Sequence, residues 1–284
     1  MLSGEECDGS WECRGVRPGG RFSVGTRPRG VTAASREGGD SGARCVPWPP
    51  TEKSLHVQYR GGVSVVLVHG RCLTGAVWDL VAAGLRGRGR RVEVVELHRG
   101  SLLADTEAVQ EVVDLLGEPV VVCGWSYGGM VITGLALGAS SHLVYLCALM
   151  PAEGESAMEL GSRYPGGLAA LVDTDEAGDL VLRGDQLDEI LWPDVGSETA
   201  AAARTKLRSQ AMQSFREAPP RVAWRQTPST YVVGRRDRAF HRHLVDEMAS
   251  RAATVIEWDT SHSPLLSRPD LVVDLLARTD AGLA

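Results

Sequence analysis

The chain has 284 residues, of which 43% are hydrophobic, and a formal net charge of −6. This length and composition suit one large α/β domain with a substantial core. An acidic balance without a long basic cluster argues against a nucleic-acid partner, and no run of about 18 apolar residues predicts a transmembrane helix.

Residues 1–55 differ from the rest of the chain. They are rich in Gly, Arg, Ser, Glu and Pro and contain few aliphatic residues. Such a segment cannot bury enough apolar area to offset its ordering entropy, so we predict a disordered N-terminal extension. The acidic start lacks the apolar stretch of a secretory signal, and the six cysteines form no C-x-x-C pair. These features predict a reduced, cytoplasmic protein.

From residue 56 to 284, strand-like and helix-like segments alternate. This order predicts an α/β fold, a mostly parallel sheet flanked by helices. The predicted strands are Val63–Val68, Arg91–Glu96, Pro119–Cys123, His142–Cys147, Ser229–Val233 and Thr254–Trp258. The predicted helices are Gly75–Leu85, Leu103–Leu116, Gly129–Leu137, Phe240–Ala252 and Pro269–Ala277.

The alternation stops between about residues 151 and 225. This stretch contains helix-like pieces at Asp185–Leu191 and Ser197–Phe215 and no convincing strand. We therefore predict a helical cap inserted over the edge of the sheet.

The pentapeptide Gly124-Trp125-Ser126-Tyr127-Gly128 lies between a predicted strand and a predicted helix. A G-x-S-x-G sequence in this context predicts a nucleophile elbow, with the serine hydroxyl projecting from a sharp turn. Side chains at the two glycines would collide with the neighbouring strand and helix. Ser126 is therefore the candidate nucleophile.

Two later loops supply a candidate acid and a candidate base. Asp237 follows the strand Ser229–Val233, and His262 follows the strand Thr254–Trp258. A serine needs a histidine to accept its proton and a carboxylate to orient that histidine. The chain order of serine, acid and histidine is the expected one for a G-x-S-x-G enzyme, and all three follow strand ends, where sites of open α/β sheets collect. The sequence thus predicts a triad of Ser126, Asp237 and His262.

Acyl transfer also requires N–H donors for the tetrahedral oxyanion. The amide of Tyr127, directly after the serine, is the first predicted donor. The amide of Arg71 is the second, because Gly70 lets the loop after the first strand turn towards the serine. His69 precedes the serine, and we expect it to order this loop rather than to act as the base.

Other candidates remain open. Glu153 and Glu155, past the strand that ends near Cys147, are alternatives for the acid. His241 and His243 form half of a metal site, but no third ligand accompanies them, so no metal is predicted.

Several large apolar side chains are candidates for an acyl pocket, although ordinary packing between cap and core explains each of them equally well. They are Trp125, Met150, Trp192, Met212, Trp224 and Leu265.

From about residue 62 to 280 the chain resembles the α/β-hydrolase superfamily, and within it the hydroxynitrile lyase/methylesterase-like branch and its bacterial relatives. The matching segments are Val66-Leu67-Val68-His69-Gly70-x-Cys72, Gly124-x-Ser126-Tyr127-Gly128-Gly129, Leu149-Met150-Pro151, Tyr231-Val232-Val233-x-x-x-Asp237 and His262-Ser263-Pro264. The resemblance implies a cofactor-free enzyme that acts on small esters, with a helical cap over its pocket. The lyases of this branch resemble one another in having a Thr at the position of Gly70 and a Lys at the position of Ser263. Because this chain has neither, the resemblance favours hydrolysis over a lyase reaction.

The sequence as a whole predicts a carboxylesterase-like serine hydrolase. We expect a small-molecule ester as substrate, no cofactor, and neither a nucleic acid nor a membrane as partner; a homodimer is compatible with the sequence. The same triad also suits a cofactor-free perhydrolase of the haloperoxidase type. A non-catalytic protein that binds a small ligand on the same fold is the third reading.

Overall fold

A computed structural model describes residues 63–117 and 119–279. The predicted N-terminal extension, residues 1–55, lies outside these ranges and stays a prediction. Strands in the described ranges are β1 (Ser64–Val68), β2 (Val92–Val95), β3 (Val120–Trp125), β4 (His142–Leu146), β5 (Val172–Thr174), β6 (Leu180–Leu182), β7 (Ser229–Gly234) and β8 (Thr254–Trp258). The α-helices there are α1 (Asp79–Gly87), α2 (Leu102–Leu116), α3 (Gly128–Thr133), α4 (Ala157–Arg163), α5 (Leu187–Leu191), α6 (Ser197–Arg204), α7 (Gln213–Arg216), α8 (Arg242–Ala249), α9 (Pro264–Ser267) and α10 (Pro269–Arg278).

Six strands form one parallel sheet in the order β2-β1-β3-β4-β7-β8. Side chains alternate across it, as the two-residue period of a strand requires. In β1, Val65 and Leu67 pack into the apolar cluster that contains α1 and α10, while Val66 and Val68 pack into the cluster with α2, α3 and α8. Helices thus cover both faces, which explains why β1, β3 and β4 are almost continuously apolar. The predicted fold class is confirmed.

The cap lies between β4 and β7 and differs from the prediction in two ways. It contains α4 to α7, but also an antiparallel hairpin of β5 and β6, so the expectation of no strand there was wrong. The predicted helix Ser197–Phe215 is divided into α6 and α7. The segment between these two helices forms backbone hydrogen bonds with the loop after β1. The N–H of Thr74 donates to the carbonyl of Lys206 at 3.0 Å, and the N–H of Arg208 donates to that of Cys72 at 2.9 Å. This pairing over a long sequence separation takes the place of helical hydrogen bonds.

Among the described residues, no helix has both the length and the hydropathy that crossing a bilayer requires.

Candidate active site

Ser126 lies at the turn between β3 and α3, in a left-handed backbone conformation with φ of 56°. Its two flanking glycines have no room for a side chain. A Cβ at Gly124 would lie 2.6 Å from the carbonyl oxygen of Gly128, and a Cβ at Gly128 would lie 2.5 Å from that of Val68. The turn therefore has the tight strand-to-helix geometry of a nucleophile elbow.

The structure brings the three predicted triad residues into one hydrogen-bonded chain. The Nε2 atom of His262 lies 3.0 Å from the hydroxyl of Ser126, and its Nδ1 lies 2.8 Å from Oδ2 of Asp237. With a neutral imidazole, the Nδ1–H donates to the carboxylate, which leaves Nε2 to accept the serine proton. All three side chains are buried.

The carboxylate of Asp237 is fixed by the loop that carries it. Its Oδ1 accepts the backbone N–H groups of Ala239 at 2.7 Å and Phe240 at 3.3 Å. These bonds leave Oδ2 directed at the imidazole of His262. The ring of Phe240 packs edge to face against that imidazole, with centroids 5.0 Å apart.

The loop of His262 is held from both sides. Beneath it, the indole N–H of Trp125 donates to the carbonyl of His262 at 2.8 Å. From the cap, Asp194 accepts the backbone N–H of Ser261 at 2.8 Å and also its hydroxyl. The hydroxyl of Ser263 donates to the carbonyl of Leu191 at 2.7 Å. The cap thus contacts the residues on either side of the histidine.

Two backbone amides near Ser126 are available as oxyanion donors. In the described part of the chain, the N–H groups of Arg71 and Tyr127 donate to no protein acceptor. The loop that carries Arg71 is fixed next to it at Cys72, whose φ is 53° and whose N–H donates to the side chain of Gln210 at 3.2 Å.

His69 lies wholly buried at the start of this loop. Its Nε2 accepts the N–H of Leu97 at 3.0 Å, so its Nδ1 carries the proton and donates to the carbonyl of Gly70 at 2.9 Å. Burial lowers the pKa of His69 to about 4, which keeps the ring neutral at pH 7. These bonds fix the ring of His69 in the loop, and it is His262 whose imidazole lies beside Ser126.

A cavity of about 350 Å³ adjoins these groups and lies under the cap. It is connected to the triad through Phe240, which packs on His262, and through Leu149, whose N–H donates to the carbonyl of Ser126 at 3.1 Å. Its walls include Arg71, Leu149, Met158, Leu168, Phe215 and Phe240.

The predicted pocket residues lie away from this cavity. The indole groups of Trp192 and Trp224 donate to Asp188 at 2.7 Å and to the carbonyl of Pro151 at 2.9 Å. Met150 and Leu265 are buried in the core, Met212 packs against the core, and Trp125 supports the histidine loop. An indole N–H that is buried needs an acceptor, and these rings find theirs in the protein rather than facing a ligand.

The alternative acids have other contacts. Glu155 pairs with Arg251 at 2.6 Å and, although burial opposes it, this pairing lowers the pKa of Glu155. Glu153 is exposed. His241 and His243 pack against the ring of Tyr164, and within the described ranges no group of three or more acidic, histidine or cysteine side chains is arranged to hold a metal.

Sequence reasoning missed the roles of Asp194, Phe240 and the Arg71 side chain. Asp194 carries no motif and reaches Ser261 over 67 positions, and Phe240 was assigned only to a helix. The adjacent Trp-Pro turn before Asp194 marks a loop but does not indicate what the carboxylate would contact.

A parallel sheet with a serine at a strand-to-helix turn and a cap inserted after the next strand is the architecture of alpha/beta hydrolases. The chain belongs to the alpha/beta hydrolase family, whose model matches residues 65–275. It is 28% identical over 198 residues to an alpha/beta hydrolase, nvfD, of Aspergillus novofumigatus, covering 63% of this chain and 78% of the fungal protein. The predicted family is thus confirmed.

Two further comparisons involve proteins named as esterases. The chain is 38% identical over 111 residues to a carbendazim hydrolyzing esterase of Nocardioides sp.. The aligned segment covers 34% of this chain and 46%, about half, of that relative. The solved structure of polyneuridine aldehyde esterase superimposes with a TM-score of 0.65 at 21% identity, over 76% of this chain and 98% of that one. This second likeness shows a shared fold.

Proposed function

We propose that the protein is a serine hydrolase that cleaves a small ester through an acyl-enzyme. The observation that carries this proposal is the hydrogen-bonded chain from Ser126 through His262 to Asp237, at an elbow beside a cavity. The relatives named as esterases support the same reaction. A small-molecule substrate, no nucleic-acid or membrane partner, a cytoplasmic location and a homodimer stay predictions.

In the proposed mechanism, Nε2 of His262 takes the proton of Ser126 as its oxygen attacks the ester carbonyl. The amides of Arg71 and Tyr127 donate to the oxyanion, and Asp237 stabilises the imidazolium that forms. The imidazolium then protonates the departing alcohol. Water, deprotonated by the same histidine, releases the acid and restores the serine.

The test is covalent labelling of the folded protein with a fluorophosphonate, together with hydrolysis of p-nitrophenyl esters of increasing chain length. We expect a single adduct, on Ser126, in the wild type. The Ser126→Ala variant should lose both the adduct and ester hydrolysis. The matched control is Ser250→Ala, an exposed serine at the end of α8, which should leave labelling and hydrolysis intact. A folded protein that binds short esters without turnover, and whose Ser126 stays unlabelled, would show a binding protein instead.

A further inference from the structure

The side chain of Arg71 is a buried cation without an anionic partner. The residue is 7% exposed, and its Nε is enclosed without a hydrogen-bond acceptor. Among the described residues, no carboxylate pairs with its guanidinium and no protein oxygen accepts from it. The guanidinium carbon lies 4.1 Å from the centroid of the Phe215 ring.

This arrangement is unfavourable in the free protein. Moving a charge out of water costs much free energy unless a counter-charge and hydrogen bonds replace the water. The ring of Phe215 offsets only part of that cost. Burial accordingly lowers the pKa of Arg71, although a guanidinium stays protonated at neutral pH. A buried arginine without a counter-charge therefore indicates a site at which an anionic ligand supplies the missing charge.

One buried carboxylate, that of Asp105, hydrogen-bonds to Tyr127 and not to Arg71. The carboxylate of Asp105 is buried and accepts hydrogen bonds from the hydroxyl of Tyr127 at 2.9 Å and from the N–H of Arg99 at 2.8 Å. Asp105 forms no hydrogen bond or ion pair with Arg71, so within the described residues the guanidinium is left without a carboxylate partner.

The cation faces the cavity beside the proposed nucleophile. Arg71 is part of the cavity wall, and the other wall side chains named above are aliphatic, aromatic or thioether groups. The same residue supplies the backbone amide that would bind the ester carbonyl. A ligand that fills this space would match it with a short apolar chain and one anionic group, which the planar guanidinium can bind through two parallel hydrogen bonds.

We propose that Arg71 binds a carboxylate of the substrate, so that the preferred substrate is a small ester carrying a carboxylate. This inference rests on the proposed function, because it assigns the substrate class of that same site. The carboxylate lies either on the acyl part or on the alcohol part of the ester. A guanidinium built to bind it discriminates against an uncharged analogue, which would leave the buried charge unpaired.

The experiment compares matched pairs of esters that differ only in charge. The acyl pair is the mono-4-nitrophenyl ester of glutaric acid and the same ester of glutaramic acid; the alcohol pair is 4-acetoxybenzoate and 4-acetoxybenzamide. For the wild type, kcat/KM should favour the carboxylate in one pair, and that pair identifies which part carries the charge. In Arg71→Gln, which keeps the backbone amide, the ratio within that pair should fall by about 100-fold.

Two further variants isolate the guanidinium. Arg71→Lys keeps the charge but loses the planar fork, so its ratio should lie between those of the wild type and Arg71→Gln. The matched control is Arg225→Gln: Arg225 also lies over an aromatic ring, that of Trp224 at 5.7 Å, but it is exposed and outside the cavity wall. Its ratio should equal that of the wild type. A wild-type ratio near one in both pairs, or an unchanged ratio in Arg71→Gln, would overturn the proposal.

Binding separates this proposal from the proposed hydrolysis. Calorimetry with glutarate should detect binding to the wild type and to Ser126→Ala, and none to Arg71→Gln, while the uncharged diamide glutaramide binds none of them measurably. If every ester is left intact but this binding pattern holds, the hydrolase proposal fails and the carboxylate site stands. If the esters are cleaved but glutarate binds no better than glutaramide, the carboxylate site fails and the hydrolase stands.

Discussion

Ser126 combines a strained backbone with a fixed position. A residue with a Cβ in the left-handed region costs on the order of 1–3 kcal/mol, and such strain persists only where the surroundings impose it. Here its carbonyl accepts the N–H groups of Gly129 and Leu149, each at 3.1 Å. The direction of the hydroxyl is therefore set by the backbone of two neighbouring segments.

Asp237 offers the sharpest test among single residues. In Asp237→Asn the side-chain oxygen can keep the N–H groups of Ala239 and Phe240, so the loop should fold. The amide nitrogen would then face Nδ1 of His262, which forces the ring into the wrong tautomer. We expect kcat for a p-nitrophenyl ester to fall on the order of 10⁴-fold, as is typical of this change in a serine triad.

The control for this variant is Glu155→Gln, at the alternative acid. Because Glu155 pairs with Arg251 and not with the histidine, its kcat should stay within a few fold of the wild type. A larger loss of activity in Glu155→Gln than in Asp237→Asn would mean that the acid is misassigned.

At the scale of elements, the cap acts as a support for the catalytic loops. Asp194, in the turn between α5 and α6, accepts two hydrogen bonds from Ser261 and lies 3.5 Å from the guanidinium of Arg236. These contacts fix the backbone directly before His262. We therefore propose Asp194 as a positioning residue.

Removing that support should reduce turnover more than binding. In Asp194→Ala the buried N–H of Ser261 loses its acceptor, a change worth about 1–3 kcal/mol, and part of it should appear as misplacement of His262. We expect kcat to fall about 10-fold with little change in KM, and hydrogen exchange at the Ser261 amide to accelerate. Asp194→Asn, which retains an oxygen acceptor, should recover part of the activity.

Asp259 is a matched control for this variant. It also contacts Arg236, at 3.2 Å, but it is largely exposed. The side chain of Asp259 forms no hydrogen bond with Ser261, whose N–H donates to Asp194. Asp259→Ala should leave kcat and the exchange rate unchanged. Equal losses in the two aspartate variants would attribute the effect to Arg236.

At the scale of the whole molecule, buried histidines make folding sensitive to acid. Burial lowers the pKa of His69 to about 4 and that of His98 to about 2. In the unfolded chain both rings take up a proton near pH 6.5, whereas in the folded protein they stay neutral to a lower pH. Below about pH 6.5 the unfolded state therefore binds more protons, and the free energy of unfolding falls as the pH is lowered. Each ring contributes up to about 1.4 kcal/mol per pH unit in that window.

Denaturant unfolding between pH 7 and pH 4 measures this effect. His98 has a φ of 66°, which asparagine tolerates, so His98→Asn should fold and should flatten the pH dependence by the share of one histidine. His243→Gln, at an exposed histidine, should leave the slope as it is. Stability that stays constant from pH 6.5 to pH 4 would contradict the buried, neutral state of these rings.

The parts of this molecule that rest on local patterns were predictable. The six strands of the parallel sheet begin and end within two residues of their predicted bounds. For β1, β3 and β4 the signal is a continuous apolar run, which marks strands that are buried on both faces. The positions of Ser126, Asp237 and His262 followed from strand ends in the same way. The predicted helix Gly129–Leu137 ends earlier, at Thr133, and is followed by Gly134, a poor helix former.

The parts that rest on contacts between distant segments were not predictable. The cap hairpin has strands of three residues, too short for a periodic signal. The break between α6 and α7 comes from pairing with residues near 72–74, which no local pattern in the cap encodes. The unpaired charge of Arg71 likewise depends on Phe215 and the cavity, whereas the sequence indicated only its backbone amide.

The cap's hydrogen bonds to Cys72, Ser261 and Ser263 restrict how this enzyme could be re-engineered. Exchanging the whole segment 151–225 for that of another hydrolase would remove the acceptors and donors that hold the loops around the nucleophile, so such chimaeras should lose turnover on every substrate alike. Changes in length belong instead at the exposed turn between β5 and β6, around residues 176–178, which has none of these bonds. We therefore expect the cap to behave as part of the active-site structure and not as an exchangeable module.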